Sequence, residues 1–171
     1  MSNFTANIQF MKKSDFLRVV FANVITPPPV VNRIIIGLNK QKLLPKGHRH
    51  SDPELSWKDI CLIIYSVYMS PTTVDGIINF AKLRKNRQKA DEQLLGGILE
   101  AITNANEVKM VFISTTHIIV MKEQENLFFG EATPEDFSDI PLMVDKAVKV
   151  PGFIFRNILA AIQIGRSAIL N

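Results

Sequence analysis

Arg33, Lys40, Lys42, Lys46 and Arg49 recur through one short stretch, with Asn32, Asn39 and Gln41 set among them. Guanidinium and amide side chains can form paired hydrogen bonds with base edges, and ammonium groups meet phosphates as point charges. Asn32, Arg33, Asn39 and Gln41 are therefore candidate base readers. Lys40, Lys42, Lys46 and Arg49 are candidate phosphate contacts. His48 stands beside Arg49 and ahead of His50, and protonation of both histidines would add charge at lower pH. A second run, Lys82-Leu83-Arg84-Lys85-Asn86-Arg87-Gln88-Lys89, is the densest basic segment. It offers Arg84, Lys85 and Arg87 as a further phosphate strip, and reads equally as a solvated turn between helices.

These side chains need elements to present them. Ser14 can cap a helix whose apolar positions are Phe16, Leu17, Val19, Val20, Phe21 and Val24. Pro27-Pro28-Pro29 stops it, since each proline lacks an N–H and displaces the residue before it from the α region. A second helix is predicted from Val30 to Leu44, after a proline tolerated in its first turn. Val30, Ile34, Leu38 and Gln41 form its inner face, widened by Val31 and Ile35, leaving Arg33, Asn39 and Lys40 towards the other side. Gly37 weakens this helix by about 1 kcal/mol relative to Ala, so it marks a close approach to another backbone or to DNA. Pro45 ends it, and a basic loop follows to Glu54. Helix, tight turn and helix in this order outline a helix-turn-helix, with the loop in the position of a wing.

The 171 residues suffice for one domain or two small ones sharing a core. Residues 1–90 hold 14 Lys and Arg against 5 Asp and Glu, a balance of +9. Residues 91–171 hold 6 against 11, or −5, which together give the net +4. The expected organisation is thus a basic helical domain over 1–90 packed with an acidic α+β domain over 91–171. The basic half suits a polyanion, and the acidic half a protein partner. A single cysteine, Cys61, excludes an internal disulfide and a cysteine-based zinc site, and its apolar neighbours make it a buried thiol. His48 and His50 have no further ligand near them, so no metal and no cofactor is expected. The opening residues lack the basic start and apolar core of a signal peptide. No apolar run reaches the roughly 18–20 residues that span a bilayer. The expected location is the cytoplasm.

Beyond the loop, Ser56 with Asp59 makes a capping arrangement for a helix through Ile60, Ile63, Ile64, Val67 and Tyr68. Thr72 or Thr73 caps the next, carrying Val74, Ile77, Ile78, Ala81 and Leu83. Asp91 to Asn104 reads as another, with Leu94, Leu95, Ile98, Leu99 and Ile102 inward. The period then changes. Val108–Ser114, His117–Lys122 and Leu127–Gly130 are rich in β-branched and aromatic residues and predict an antiparallel meander. A short helix start at Thr133–Phe137, a last strand over Val144–Val150 and an apolar helix over Pro151–Leu170 complete the chain. The fold class is therefore α+β: a helix-rich N-terminal half, a small antiparallel meander and a C-terminal helix. Phe153, Ile154, Phe155, Ile158, Leu159, Ile162 and Ile169 either cover the sheet or pair two copies into a homodimer.

The segment Leu43-Leu44-Pro45-Lys46-Gly47-His48-Arg49-His50, with Pro53-Glu54-Leu55-Ser56 and the long helix after it, resembles a group of phage and prophage proteins of alphaproteobacteria. In that group a helix-turn-helix-like segment ends in a Leu-Leu-Pro-x-Gly-Gly-Arg-Gly type loop, followed by a helix, a β segment and a late helix. Val148–Ile162 is similar to their closing strand and helix. The likeness covers about two thirds of the chain and rests chiefly on Leu44, Pro45, Gly47, Arg49 and Leu55. His48 here replaces a usual glycine. The resemblance implies DNA-linked regulation, with double-stranded DNA as the partner. Neither a Gly-x-Ser-x-Gly, nor a His-Glu-x-x-His, nor a glycine-rich phosphate loop occurs, so no enzyme is expected. A protein-binding or structural accessory role is the alternative.

Overall fold

The computed structural model describes residues 11–24, 26–49, 51–131 and 147–167. Helix α1 spans Lys13–Asn23 and α2 spans Pro28–Lys40. Then come α3 (Trp57–Met69), α4 (Val74–Asn86) and α5 (Gln88–Thr103). Strands β3 (Val108–Ile113), β4 (His117–Lys122), β5 (Asn126–Gly130) and β6 (Val148–Pro151) precede α6 (Gly152–Ser167). Two short strands, β1 (Met11–Lys12) and β2 (Glu54–Leu55), pair antiparallel and tie the start of α1 to the end of the basic loop. The protein is α+β, helix-rich in its N-terminal half, as its periodicities predict.

The second sheet has the order β5-β4-β3-β6 and is antiparallel throughout. Helix α5 lies against β4 and β5, and α6 against β3. A Cβ on Gly97 of α5 would come within 2.8 Å of Ile118 Cγ2, so the missing side chain lets that helix sit close to the sheet. On its other side α5 carries α3, which is buried continuously from Ile60 to Val67. Ser56 and Asp59 cap α3 reciprocally, and the Thr73 hydroxyl accepts from the Gly76 N–H at the start of α4. One buried apolar cluster runs from Met11 to Ile162. It crosses the expected boundary at residue 90, which falls within α5.

Several boundaries differ from the expected ones. The Lys12 backbone, rather than Ser14, occupies the N-cap of α1, and the Ser14 N–H and hydroxyl donate to the Asp52 carboxylate. Helix α2 begins at Pro28 and ends at Lys40, four residues short of Leu44. Its end is a Schellman turn: the Leu43 N–H donates to Leu38 O (3.1 Å) and the Lys42 N–H to Asn39 O (3.0 Å). Lys42 takes the left-handed conformation, φ 58°, that this motif needs. Helix α5 begins three residues before Asp91, because Arg87 is at once the C-cap of α4 and the N-cap of α5.

The expected helix start at Thr133–Phe137, the first part of the last strand and the end of the last helix at Leu170 lie outside the described residues, as do His50 and Ile169. On α6, Ile154, Phe155, Ile158, Leu159 and Ile162 are all buried within the chain. They pack on α1, α5 and β3, so they are not a surface for a second copy. Phe153 and Ile164 remain exposed.

Candidate nucleic-acid interface

Helix α1 packs chiefly on α6, whereas α2 packs on α4 and α3. The two helices follow one another as a helix-turn-helix requires, but each finds its main support elsewhere. Helix α2 fits closely at Gly37, where a Cβ would stand 2.7 Å from Ile77 Cγ2 of α4. The glycine therefore marks a close approach to a neighbouring helix.

Burying Val31, Ile34, Ile35, Gly37 and Leu38 turns the opposite face of α2 to solvent. Asn32, Arg33, Ile36 and Lys40 are exposed there. In the loop that follows, Lys42, Lys46, His48 and Arg49 are exposed too, while Leu44 inserts into the core and anchors it. Among the described residues none of Arg33, Lys40, Lys42, Lys46 and Arg49 makes an ion pair. The loop is held by the Ser51 N–H donating to His48 O (3.0 Å), by the Lys13 N–H donating to Pro53 O (2.9 Å) and by Asp52. It closes on β1 through β2, so it is an anchored loop and not a hairpin wing.

Two expected base readers are placed differently. Asn39 is half-buried and its Oδ1 accepts from Lys13 Nζ at 3.0 Å. Burial pushes the Lys13 ammonium below its ordinary pKa, with Asp52 and Asp59 acting the other way. Gln41 is half-buried at the C-cap of α2.

The basic run after α4 separates into two kinds of residue. Lys85 is exposed. Arg84 is buried and cannot reach a phosphate: its Nη1 donates to Asp91 Oδ1 at 2.8 Å and to the Tyr65 hydroxyl at 3.4 Å. Its guanidinium also stacks near the rings of Tyr65 and Phe80, 5.6 and 5.3 Å from their centroids. Arg87 is half-buried and paired with Glu131. The signal that could have placed Arg84 is its spacing. It follows Ile77, Phe80 and Ala81 by seven, four and three residues, on their side of the helix.

The Tyr65 hydroxyl carries the buried network onward by donating to Ser114 O at 3.2 Å. Burial raises this hydroxyl to a pKa of about 12, against the opposing pull of Arg84. Ser114 Oγ lies 2.9 Å from His117 Nδ1. This serine also accepts from the His117 and Thr116 N–H groups and donates to His117 O. It is tied into the β3–β4 turn rather than presented as a nucleophile. Cys61 is fully buried, and burial pushes its thiol well above the ordinary range. No group of three potential ligands for a metal ion occurs among the described residues. Nor is any helix there long and apolar enough to cross a membrane. Compared with protein-family models, curated proteins and solved structures, the chain matches none.

Proposed function

We propose that the chain is a double-stranded DNA-binding protein, a cytoplasmic transcription regulator of phage or prophage type. It would meet DNA with the outer face of α2 and the loop that follows. The observation that carries this reading is the set of exposed cations with no ion pair among the described residues, Arg33, Lys40, Lys42, Lys46 and Arg49, on one helix and its loop. Elsewhere Arg84, Arg87 and Lys122 pair with Asp91, Glu131 and Glu100, while Lys82, Lys85 and Lys89 are exposed with no ion pair among the described residues. A 13-residue helix is about 20 Å long, and the major groove admits one. Asn32 and Arg33 are its exposed hydrogen-bonding residues for base edges, and the lysines and Arg49 supply phosphate contacts. Two copies on a symmetric site would double these contacts; light scattering would then give twice the 19.3 kDa chain mass.

Fluorescence anisotropy with a labelled random duplex tests the reading. Affinity should fall steeply between 50 and 200 mM salt as counterions released by phosphate contacts are repaid. Arg33→Ala with Lys40→Ala should weaken binding about tenfold or more and flatten the salt slope by one to two charges. Unchanged affinity in a folded double variant would remove α2 from the interface.

One observation favours the alternative of a protein-binding module. Ile36 and Val74 are 53% and 60% exposed, and with Ile77 and Ile78 they line an apolar groove between Arg33 and Lys40. Such a groove suits an amphipathic helix with acidic flanks. A chain that shifts no DNA at either salt, but does bind such a helix in an Ile36-dependent manner, belongs to this class.

A further inference from the structure

Two turns of α2 separate Arg33 from Lys40, seven residues and about 10.5 Å along one stripe of the helix. Both are exposed, and among the described residues neither makes an ion pair. Between them the chain places Ile36 and Gly37. Because Gly37 has no side chain, α4 comes close there, and Val74, Ile77 and Ile78 complete an apolar groove with Ile36. Ile36 and Val74 are left more than half exposed. Asp75, next to Val74, does not line the groove. The space enclosed is about 100 Å³, well under the roughly 300–1,000 Å³ of small-molecule pockets. It suits one branched side chain, as a knob fills a hole on a facing helix. A duplex backbone can pair with the two cations but leaves the aliphatic groups without a partner. The apolar stripe of a helix with acidic flanks satisfies both.

We propose that this groove is where a regulator of DNA binding docks: an acidic amphipathic helix of another protein, with an aliphatic side chain between Ile36, Val74 and Ile78 and carboxylates paired with Arg33 and Lys40. The competition rests on the DNA reading of α2; the docking does not. Arg33 and Lys40 are the cations assigned to the duplex, so helix and duplex cannot both hold them at once. Carboxylates seven residues apart recur on one face of a helix at the same spacing of about 10.5 Å, so a partner lying along the groove matches α2 turn for turn. Burial of the aliphatic side chain supplies attraction, and the two charge pairs fix register and exclude basic partners. Lys82 and Lys85 follow Ile78 by four and seven residues on the same side of α4. Both are exposed, and they extend the basic border for a longer acidic helix.

Three fluorescein-labelled helical peptides of eighteen residues, built on alanine and glutamine, serve as probes. The first carries two glutamates seven residues apart, with leucines three and four positions after the first glutamate. The second has serine for both leucines, and the third has lysine for both glutamates. Anisotropy with the full chain, without DNA, should give the first a Kd below about 100 µM and the other two at least about tenfold weaker binding. Unlabelled, the first should displace a labelled random duplex, doubling the apparent Kd for DNA when its concentration equals its own Kd. Val74→Ser, an exposed change at the start of α4, should weaken the first peptide about fivefold and leave duplex affinity within about twofold. Equal binding by either control peptide would mean that charge or apolar surface alone attracts the probe, and overturns the dock. Failure of the first peptide to bind a chain that does bind duplex overturns this proposal and leaves the DNA reading standing. A chain that binds the first peptide but no duplex overturns the DNA reading and the competition with it. Peptide binding that leaves duplex affinity unaltered, or that Val74→Ser does not weaken in folded protein, places the helix elsewhere and overturns the proposal equally.

Discussion

Lys42 is the one non-glycine residue among those described with a positive φ, 58°. A side chain there costs about 1 kcal/mol relative to glycine, which reaches the left-handed region without a Cβ penalty. The Schellman turn places it directly after the last turn of α2, and its ammonium is exposed beside Lys40. Lys42→Gly should therefore raise the urea midpoint, by up to about 1 kcal/mol of stability, while lowering affinity for duplex DNA. A variant that is stabler and binds equally well would leave Lys42 outside the interface. Arg84 is the opposite case at the same scale. It looks from its neighbours like part of a solvated strip, yet it is the most deeply embedded charge described. Its ion pair with Asp91 joins the end of one helix to the start of the next, and removing either partner alone would strand the other.

Helix α2 owes its position to one missing side chain. Gly37 lets it lie against Ile77, and the groove that holds Arg33, Ile36 and Lys40 depends on that closeness. Gly37→Val should cost about 1–3 kcal/mol, because overpacking forces neighbours off their preferred rotamers. The loss should exceed anything gained in helix propensity. Adding Ile77→Ala should return part of it, which a double-mutant cycle in urea would measure as a coupling of at least about 0.5 kcal/mol. Additive effects would mean that the two helices do not meet at this point. Other elements were plain from local chemistry. The capping box at Ser56 and Asp59, the Thr73 cap and the β-branched runs at Val108 and His117 each act within a few residues. Sequence spacing therefore captures them. The α4–α5 junction was not plain, since Arg87 ends one helix and begins another without glycine or proline.

At the scale of the whole chain, the basic and acidic halves share one core. Helix α1 from the first packs on α6 from the second, and α5 carries both α3 and the sheet. Unfolding should be a single transition, with Trp57 fluorescence and far-UV circular dichroism giving coincident urea curves. Two separated transitions would show that the halves are independent domains. The titrating groups point to a common alkaline limit. Burial raises Tyr65 and Tyr68 to about 12, and the hydrogen bond to Glu100 raises Lys122. Each folded-state pKa lies above its unfolded value, so the folded chain holds these protons more tightly. Stability from the two tyrosines is complete below about pH 10 and declines as pH rises towards 12, and that from Lys122 is likewise lost above the ordinary lysine range. The Tyr68 hydroxyl has no hydrogen-bond partner among the described residues. Tyr68→Phe should then leave neutral-pH stability unchanged within about 1 kcal/mol and make the alkaline loss shallower. An identical pH profile in the variant would remove Tyr68 from the account.

The sequence by itself determined the α+β class, the order of most elements, the apolar faces of the helices and the unequal charge of the two halves. These follow from side-chain periodicity and from caps and turns, whose energies depend on residues a few positions apart. Which charges are free was decided only in three dimensions. Arg33, Lys40, Lys46 and Arg49 stayed exposed because their neighbours in the sequence supplied the buried face or the anchor. Arg84 was drawn inside because Asp91, Tyr65 and Phe80 met it from three different helices, and Asn39 was turned to Lys13 across 26 residues. The apolar face of α6 was likewise assigned to the core by α1, α5 and β3. Desolvation and pairing depend on what surrounds a group in space, and a linear chain carries that information only through all of its contacts at once.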